Sequence, residues 1–404
     1  MRVWPLYGAA FAMAISLNVL WTAMPFIIRN IGGTEEHVGY TWAANMLGYM
    51  LCLLFAAAML GHLNARRATR AATAAMFLAT VVMMVVVRHV LASPDAHREL
   101  GNAVLIWTII AAGILAGSAM SLFWPFLMAW VSADYEGIVL NRRLGTYNGM
   151  WSAAAILGPS VSGALVESST LSPISVGAGG LALCFVLLCL ARDECAGTAA
   201  SLGTLDAPQV SLDESVLLRF KWMARIALFC SWACLGVSRT QFALLFTDLG
   251  FSKTQFGIMI TIFGVCNFLV LTGAGRLGFW HFKLAFLLGA QLILAVPLFL
   301  MIFGRTLWFF VPAFMIMGFA FGFAYSSHLY YGACGSRKRS IRMAIHEVTL
   351  SLGVVVGSGA GGYLSGNVGD YWPYWFALIV TGVGLAAQMV LWIALTKQDG
   401  QNIR

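Results

Sequence analysis

Charge is what this sequence has least of. Only 10% of its 404 residues are Asp, Glu, Lys or Arg, against about 25% in a soluble globular chain. So few charges cannot coat a water-facing surface, which argues against a soluble enzyme or binding module. Carboxylates are scarcest: there are 16, and Glu347 alone falls within an apolar run. Paired carboxylates for general acid–base work are therefore lacking there. No GxxxxGK[ST] string is present to cradle the phosphates of a nucleotide, which disfavours an ATP-driven pump. The eight cysteines form no CxxC pair, which weighs against a zinc site or a disulfide framework; they read as small apolar side chains. The string His346-Glu347 lacks the second histidine of a zinc-protease helix. No metal and no cofactor is expected.

What is there is apolar. Hydrophobic residues make up 60% of the chain, and the mean hydropathy is +0.83. The 42 glycines sit mostly inside apolar runs, as they do in membrane helices. A hydrocarbon core of about 30 Å needs about 20 apolar residues per helix. Twelve such runs follow one another, at 4–28, 38–60, 71–90, 103–131, 146–166, 174–190, 223–246, 257–273, 284–303, 307–331, 343–365 and 374–395. The first is too long for a signal-peptide core and has no small-x-small cleavage site, so it reads as a span. An all-α membrane protein of twelve transmembrane helices is predicted, with the lipid bilayer as its first partner.

The net charge of +8 does not point to nucleic acid, because the basic residues cluster in short segments between apolar runs. With the N-terminus in the cytoplasm, 18 of the 24 Lys and Arg fall on the inner side and five (Arg29, Arg88, Arg98, Lys253 and Arg305) on the outer side. Arg239 falls inside a span. That asymmetry predicts cytoplasmic N- and C-termini, and the even span count agrees.

The longest polar stretch, 192–220, separates six runs from six. It reads as a cytoplasmic linker between an N-terminal bundle over 1–191 and a C-terminal bundle over 221–404. The two halves repeat each other. The turn Ile31-Gly32-Gly33-Thr34 entering the second run matches Leu249-Gly250-Phe251-Ser252 entering the eighth. Gly113-x3-Gly117 in the fourth matches Gly318-x3-Gly322 in the tenth, and Gly158-Pro159-x3-Gly163 in the fifth matches the glycine-rich Gly357 to Gly362 of the eleventh. Three matched places in one order mark parallel repeats related by a pseudo-two-fold axis, a pattern of secondary transporters.

On these features the chain resembles the major facilitator superfamily over nearly its whole length. Two local strings carry the resemblance beyond span count. The fifth run reads Gly149-x8-Gly158-Pro159-x2-Ser162-Gly163, close to that family's motif in the same helix. The loop after the second run, Gly61-His62-Leu63-Asn64-Ala65-Arg66-Arg67-Ala68-Thr69-Arg70, resembles the family's cytoplasmic loop but departs from it, with Ala65 where the family has an acid and Ala68 where it has a second glycine. The resemblance implies alternating access, with a small solute held near the midplane between the bundles. It also implies a multi-pass protein of the plasma (inner) membrane; a monomer is expected.

Polar side chains inside a bilayer are costly and are functional candidates by default. Arg239, within Ser238-Arg239-Thr240-Gln241, suits an anion bound by paired donors; a structural ion pair and snorkelling to the surface are the other readings. Glu347 is the candidate for proton coupling, with an interfacial pairing to Arg342 as its alternative. His328 and Tyr331 in the tenth run and Asn267 in the eighth are candidates for binding solute. So are Gln241 in the seventh, Asn18 and Trp21 in the first, Trp124 in the fourth, and Asn148 and Trp151 in the fifth. Asn45 in the second run can line the same cavity. The small residues Gly158, Pro159, Gly163, Gly357 and Gly362 let helices approach closely and repack between states, or serve tight packing alone.

The leading function is a secondary transporter for a small organic solute, with proton coupling as an added expectation. The competing classes are a membrane-embedded enzyme and a non-transporting sensor of the same fold. The charge pattern makes its own prediction. In a cysteine-free background, Lys283→Cys is expected to react with a membrane-impermeant thiol reagent only from the cytoplasmic side, and Lys253→Cys only from the outer side. Labelling from the opposite sides sinks the proposed orientation.

Overall fold

A computed structural model describes residues 4–56, 63–92, 100–132, 137–191, 214–274, 276–334 and 339–402. The helices are α1 (Trp4–Asn30), α2 (Glu35–Ala56), α3 (Ala65–Ala92), α4 (Leu100–Ser132), α5 (Gly137–Ser168), α6 (Ser172–Leu190), α7 (Glu214–Asp248), α8 (Lys253–Ala274), α9 (Leu284–Ile293), α10 (Ala295–Phe303), α11 (Leu307–Ala333), α12 (Arg339–Asn367) and α13 (Trp372–Asn402). Among the described residues there is no strand. Helices alone satisfy every backbone donor and acceptor within one segment, which hydrocarbon demands. Among the described residues, twelve spans are long and apolar enough to cross a membrane, as the runs predicted.

The ninth span differs from the single helix expected. It is built from α9 and α10 with a break at Leu294, whose N–H reaches back only three residues to Gln291 O (3.2 Å). Pro297 lies three residues on. It has no N–H to bond Ile293 O and its ring crowds that carbonyl, so the ladder is interrupted there. Most of the expected linker (192–213) lies outside the described residues; from Glu214 onward the chain is already helical.

The repeat is visible in hydrogen bonds. After α1, Ile31, Gly32 and Gly33 donate to Ile27, Arg29 and Ile28, and after α7 Leu249, Gly250 and Phe251 donate in the same pattern to Leu245, Thr247 and Phe246. The middle glycines sit at φ +85° and +88°, a left-handed C-terminal cap that glycine adopts without Cβ strain. The next helix is capped alike. Ser252 Oγ accepts from Gln255 N–H (3.1 Å) while Gln255 Oε1 accepts from Ser252 N–H (2.9 Å). That is the reciprocal box by which two orphan donors are satisfied. His37 takes the place of Gln255 at Thr34, its Nδ1 accepting from Thr34 N–H at 3.2 Å.

In the loop before α3, Gly61 and His62 lie outside the described residues. Asn64 caps α3, its Oδ1 accepting from the N–H of Arg66 (2.9 Å) and Arg67 (3.3 Å). Arg70 reaches α6 and donates to Leu188 O (2.7 and 3.2 Å) and Cys189 O (3.2 Å). A cation on the last carbonyls of a helix is favoured by its dipole. The seven described cysteines are all free.

The chain forms two compact units. Unit 1 is Met1–Gly203 with Arg239–Thr261, and unit 2 is Thr204–Ser238 with Ile262–Arg404. Unit 1 has a core of Met13, Phe123, Leu127, Cys184 and Leu188, with Trp124 and Trp151 half-buried against it. Unit 2 has an aromatic core around Phe220, Trp280 and Tyr331. Both rely on glycine at helix crossings. In unit 1 a Cβ on Gly117 of α4 would strike the Asn45 carbonyl of α2; in unit 2 a Cβ on Gly318 of α11 would lie 2.5 Å from the Phe263 carbonyl of α8. Where backbone stands opposite, the helices must part. Gly117→Ala is therefore expected to destabilise by about 1–3 kcal/mol, the usual cost of overpacking. Gly149→Ala in α5, with nothing within 4 Å, is expected to be neutral or to stabilise by about 0.5–1 kcal/mol through lower chain entropy. Melting of the two purified variants against wild type checks the contrast, and equal effects would refute it.

Candidate functional site

In unit 1, α1, α2 and the last part of α7 bring together an indole pair and a cation. Trp21 of α1 meets Trp42 of α2 edge to face, with ring centroids 5.8 Å apart. The guanidinium of Arg239 lies 5.9 Å from the Trp42 ring centre, within range of a cation–π attraction. Trp21, Thr22, Trp42 and Gln241 are all buried, the last at 2% exposure. Trp21 Nε1, Trp42 Nε1, Thr22 Oγ1 and Gln241 Oε1 have no hydrogen-bond partner among the described residues. Gln241 does use its other end: Nε2 donates to Glu35 O at 3.1 Å. Each unmet buried polar atom costs about 1–3 kcal/mol. Several in one cluster are the mark of a place where water or a ligand supplies the partners. Two indole N–H donors beside a guanidinium suit a solute with a flat face and an acidic group.

The other expected residues of unit 1 are placed differently. Asn18 donates to Ala14 O in its own helix (2.9 Å), and its Cβ stands where a side chain on Gly158 would go, 2.6 Å away. With Ser162 donating to Val19 O (2.6 Å), this is the contact of α1 with α5. Trp151 donates through Nε1 to Asn148 Oδ1 one turn back (3.1 Å), so these two candidates satisfy each other. Asn45 donates to Gly113 O (3.0 Å) and joins α2 to α4. A Cβ on Gly163 of α5 would meet Lys253 O of α8 at 2.5 Å, and one on Gly257 of α8 would strike the Pro159 carbonyl. Beside them Thr261 donates to Ile156 O (2.8 Å) and sits 2.7 Å from Ser160 Oγ. At the neighbouring turns Arg29 pairs with Asp248 (2.7 Å), both groups near half-exposed, and Glu167 accepts from Thr254 N–H (3.1 Å).

In unit 2, His328 of α11 and His346 of α12 are both buried, with their Nδ1 atoms 2.8 Å apart. The ring of Tyr325 meets His346 edge to face at 4.6 Å. One Nδ1 must carry a proton and the other a lone pair, so the rings hold opposite tautomers. His346 Nε2 is buried without a partner among the described residues. Glu347, next in sequence, is half-buried. Tyr331 accepts from Phe282 N–H (2.9 Å) and stacks in the aromatic core. Asn267 lies against Gly322, its Oδ1 without a partner among the described residues. Gly357 and Gly353 of α12 close on Ala233 and Phe229 carbonyls of α7, and Gly362 is buried. Among the described residues no group of three or more His, Cys, Asp or Glu is placed to hold a metal.

A sequence profile of the Major Facilitator Superfamily matches residues 6–333, and again residues 226–403. The chain belongs to the Major Facilitator Superfamily. It is a multi-pass membrane transporter and not an enzyme, and its partners are the bilayer and a small-molecule solute. Solved structures share this superfamily member's fold. The nucleoside transporter NupG superposes with a TM-score of 0.72 at 13% identity, over 98% of this chain and 100% of its own. The peptide transporter POT gives 0.73 at 12%, over 99% and 95%. A bacterial homologue of the human lysosomal transporter Spinster, inward-facing and unoccupied, gives 0.69 at 14%, over 98% and 96%. No curated protein matches in sequence.

Sequence reasoning missed Trp42 and His346 as partners. Trp42 lies one helical turn before Asn45, on the same face, and that spacing was the available signal. Nothing in the sequence linked His346 to His328, because a contact between two helices leaves no local trace. The geometry predicts that histidine-selective nitrogen NMR of the full chain shows one Nδ1–H and one Nε2–H ring coupled through a hydrogen bond. His346→Asn should remove the coupling and change the signal of His328. Two rings of the same tautomer, or no coupling in wild type, would contradict the pair.

Proposed function

We propose that the chain moves a small organic acid with a flat, apolar body by alternating access, as a secondary transporter of the plasma membrane. The observation that carries this reading is the Trp21–Trp42–Arg239 cluster, with unmet indole donors beside a guanidinium. A carboxylate would take the Arg239 fork and an indole N–H, and the ring faces would hold the body of the solute. Alternating access is supported by the way Arg239–Thr261 packs on α1, α2 and α5. Bare glycine contacts at Gly163 and Gly257, the exposed Arg29–Asp248 pair, a few hydrogen bonds and the edge-to-face contact of Phe26 with Phe256 (5.6 Å) join that end to α1 and α5. Glycine crossings have no interlocked side chain to hold them, and an exposed pair is worth only about 0.2–1 kcal/mol. We assign the halves to 1–191 and 221–404, joined on the cytoplasmic side by 192–220, whose residues from Glu214 on form the first turns of α7.

Proton coupling enters, on this reading, through His328, His346 and Glu347. These are titratable groups near one end of α11 and α12, with the ring of Tyr325 against His346 and the cation Arg225 of α7 within electrostatic reach of His328.

The test is a thermal-stability screen of the purified chain against a broad library of small solutes. A solute that binds the native state raises the melting temperature by mass action. Acidic aromatic compounds are expected to stabilise wild type and to lose at least about tenfold in affinity with Arg239→Ala, since a charge-assisted bidentate contact is worth that much. Trp42→Ala should weaken the same compounds. Hits that are neutral or cationic, or indifferent to both substitutions, would make Arg239 structural and end the anionic-substrate reading.

A further inference from the structure

Within unit 2 a cavity of about 570 Å³ opens beside the starts of α7 and α12, lined by Ser215, Leu218, Lys221, Trp222, Arg225 and Arg342. Ser215, Leu218, Trp222 and Arg225 follow one another at spacings of three and four, so they share one face of α7. Three of the six side chains are cations and none is an acid. Arg225 lies over the Trp222 ring, 4.5 Å from its centre. A guanidinium on a ring face keeps its N–H donors at the edge, where they can fork onto an oxyanion. Arg225 and Arg342 stand close enough to repel each other. Like charges gathered around one cavity are costly, and an anion between them relieves the cost.

We propose that this cavity is a binding site for a phosphate oxyanion, held by Arg225 and Arg342 with Lys221 and the Ser215 hydroxyl beside them. Two sources share that chemistry: the headgroup of an anionic phospholipid and a soluble phosphate compound. Trp222 and Leu218, each 44% exposed, give the mouth an apolar rim of the kind that sits at a membrane–water interface. Basic pockets between membrane helices hold anionic headgroups in this way. The site does not depend on the Arg239 reading. Arg239 lies about four helical turns further along α7, and no side chain of its cluster lines this cavity.

The full chain is placed in nanodiscs of phosphatidylcholine, alone or mixed with phosphatidylglycerol, and its melting temperature is measured. Inorganic pyrophosphate is titrated into the phosphatidylcholine discs as a second arm. A gain with phosphatidylglycerol that Arg225→Gln and Arg342→Gln each weaken by about tenfold or more supports the site and assigns it to lipid. The same arginine-dependent gain with pyrophosphate alone supports the site and assigns it to a soluble phosphate. Arg305→Gln, at a turn where Arg305 donates to the Ile302 and Gly304 carbonyls, should leave the gain intact. No gain in either arm overturns the proposal. So does a gain that survives both glutamine variants, or one that Arg305→Gln removes equally. If the glutamine variants do not fold, Arg225→Lys and Arg342→Lys are read instead. These keep the charge and lose the fork, so weaker binding than wild type supports the site and equal binding overturns it.

Discussion

The close approach of helix backbones at glycine is the contact on which the rest of this structure depends. Hydrocarbon gives no solvent for a bare N–H or C=O, so each span must satisfy itself as a helix. Once that is done, helices in lipid gain little from burying apolar surface against each other. Packing contact and a few polar bonds must hold them. Gly117 on Asn45, Gly318 on Phe263, Gly163 on Lys253 and Gly357 on Ala233 are such contacts. Each brings one backbone against another with no side chain between.

Polar groups fall into two classes on this scaffold. One class is satisfied and joins helices: Asn45 to Gly113, Ser162 to Val19, Gln388 to Met223 O at 2.8 Å, and Arg70 to the end of α6. The other is buried and unmet among the described residues, as at Trp21, Trp42, Gln241 and His346. The first class explains polar residues as mortar in a medium where a hydrogen bond has no competitor. The second is where a solute or water has something left to bond. That division, more than residue type, separates the candidates. Asn18, Asn148 and Trp151 have partners within their own helices, while Trp21 Nε1 and Trp42 Nε1 have none among the described residues.

Charge is sparse along the spans, and at α7 it does separate work. That helix runs from a cationic face at Lys221 and Arg225, through a glycine contact at Gly236, to Arg239 and the exposed Arg29–Asp248 pair. Arg225 and Arg239 each lie by an aromatic face, and Arg29 lies beside an opposite charge. Arg239 is the costliest, and it sits over Trp42, where the ring's electron-rich face offsets some of the loss of water.

The sequence by itself determined the fold class, the twelve spans and the repeat. These rest on apolar run length, on the even spacing of breaks and on turn chemistry, all local properties of the chain. Gly32 and Gly250 were legible as matching turns, and their left-handed geometry follows from what glycine alone adopts cheaply. The break at Leu294 was missed because an apolar run longer than its helix looks continuous; only the proline marked it. Most of the site was not legible. Arg239 and His328 stood out because a polar group in an apolar run is costly wherever it points. Their partners Trp42 and His346 did not, since which residues meet depends on how helices cross and rotate about their axes. Tertiary structure also decided that Asn148 answers Trp151 and that Tyr331 holds Phe282. A side chain's hydrogen bond is made once its neighbours are in place, and the chain does not record those neighbours residue by residue.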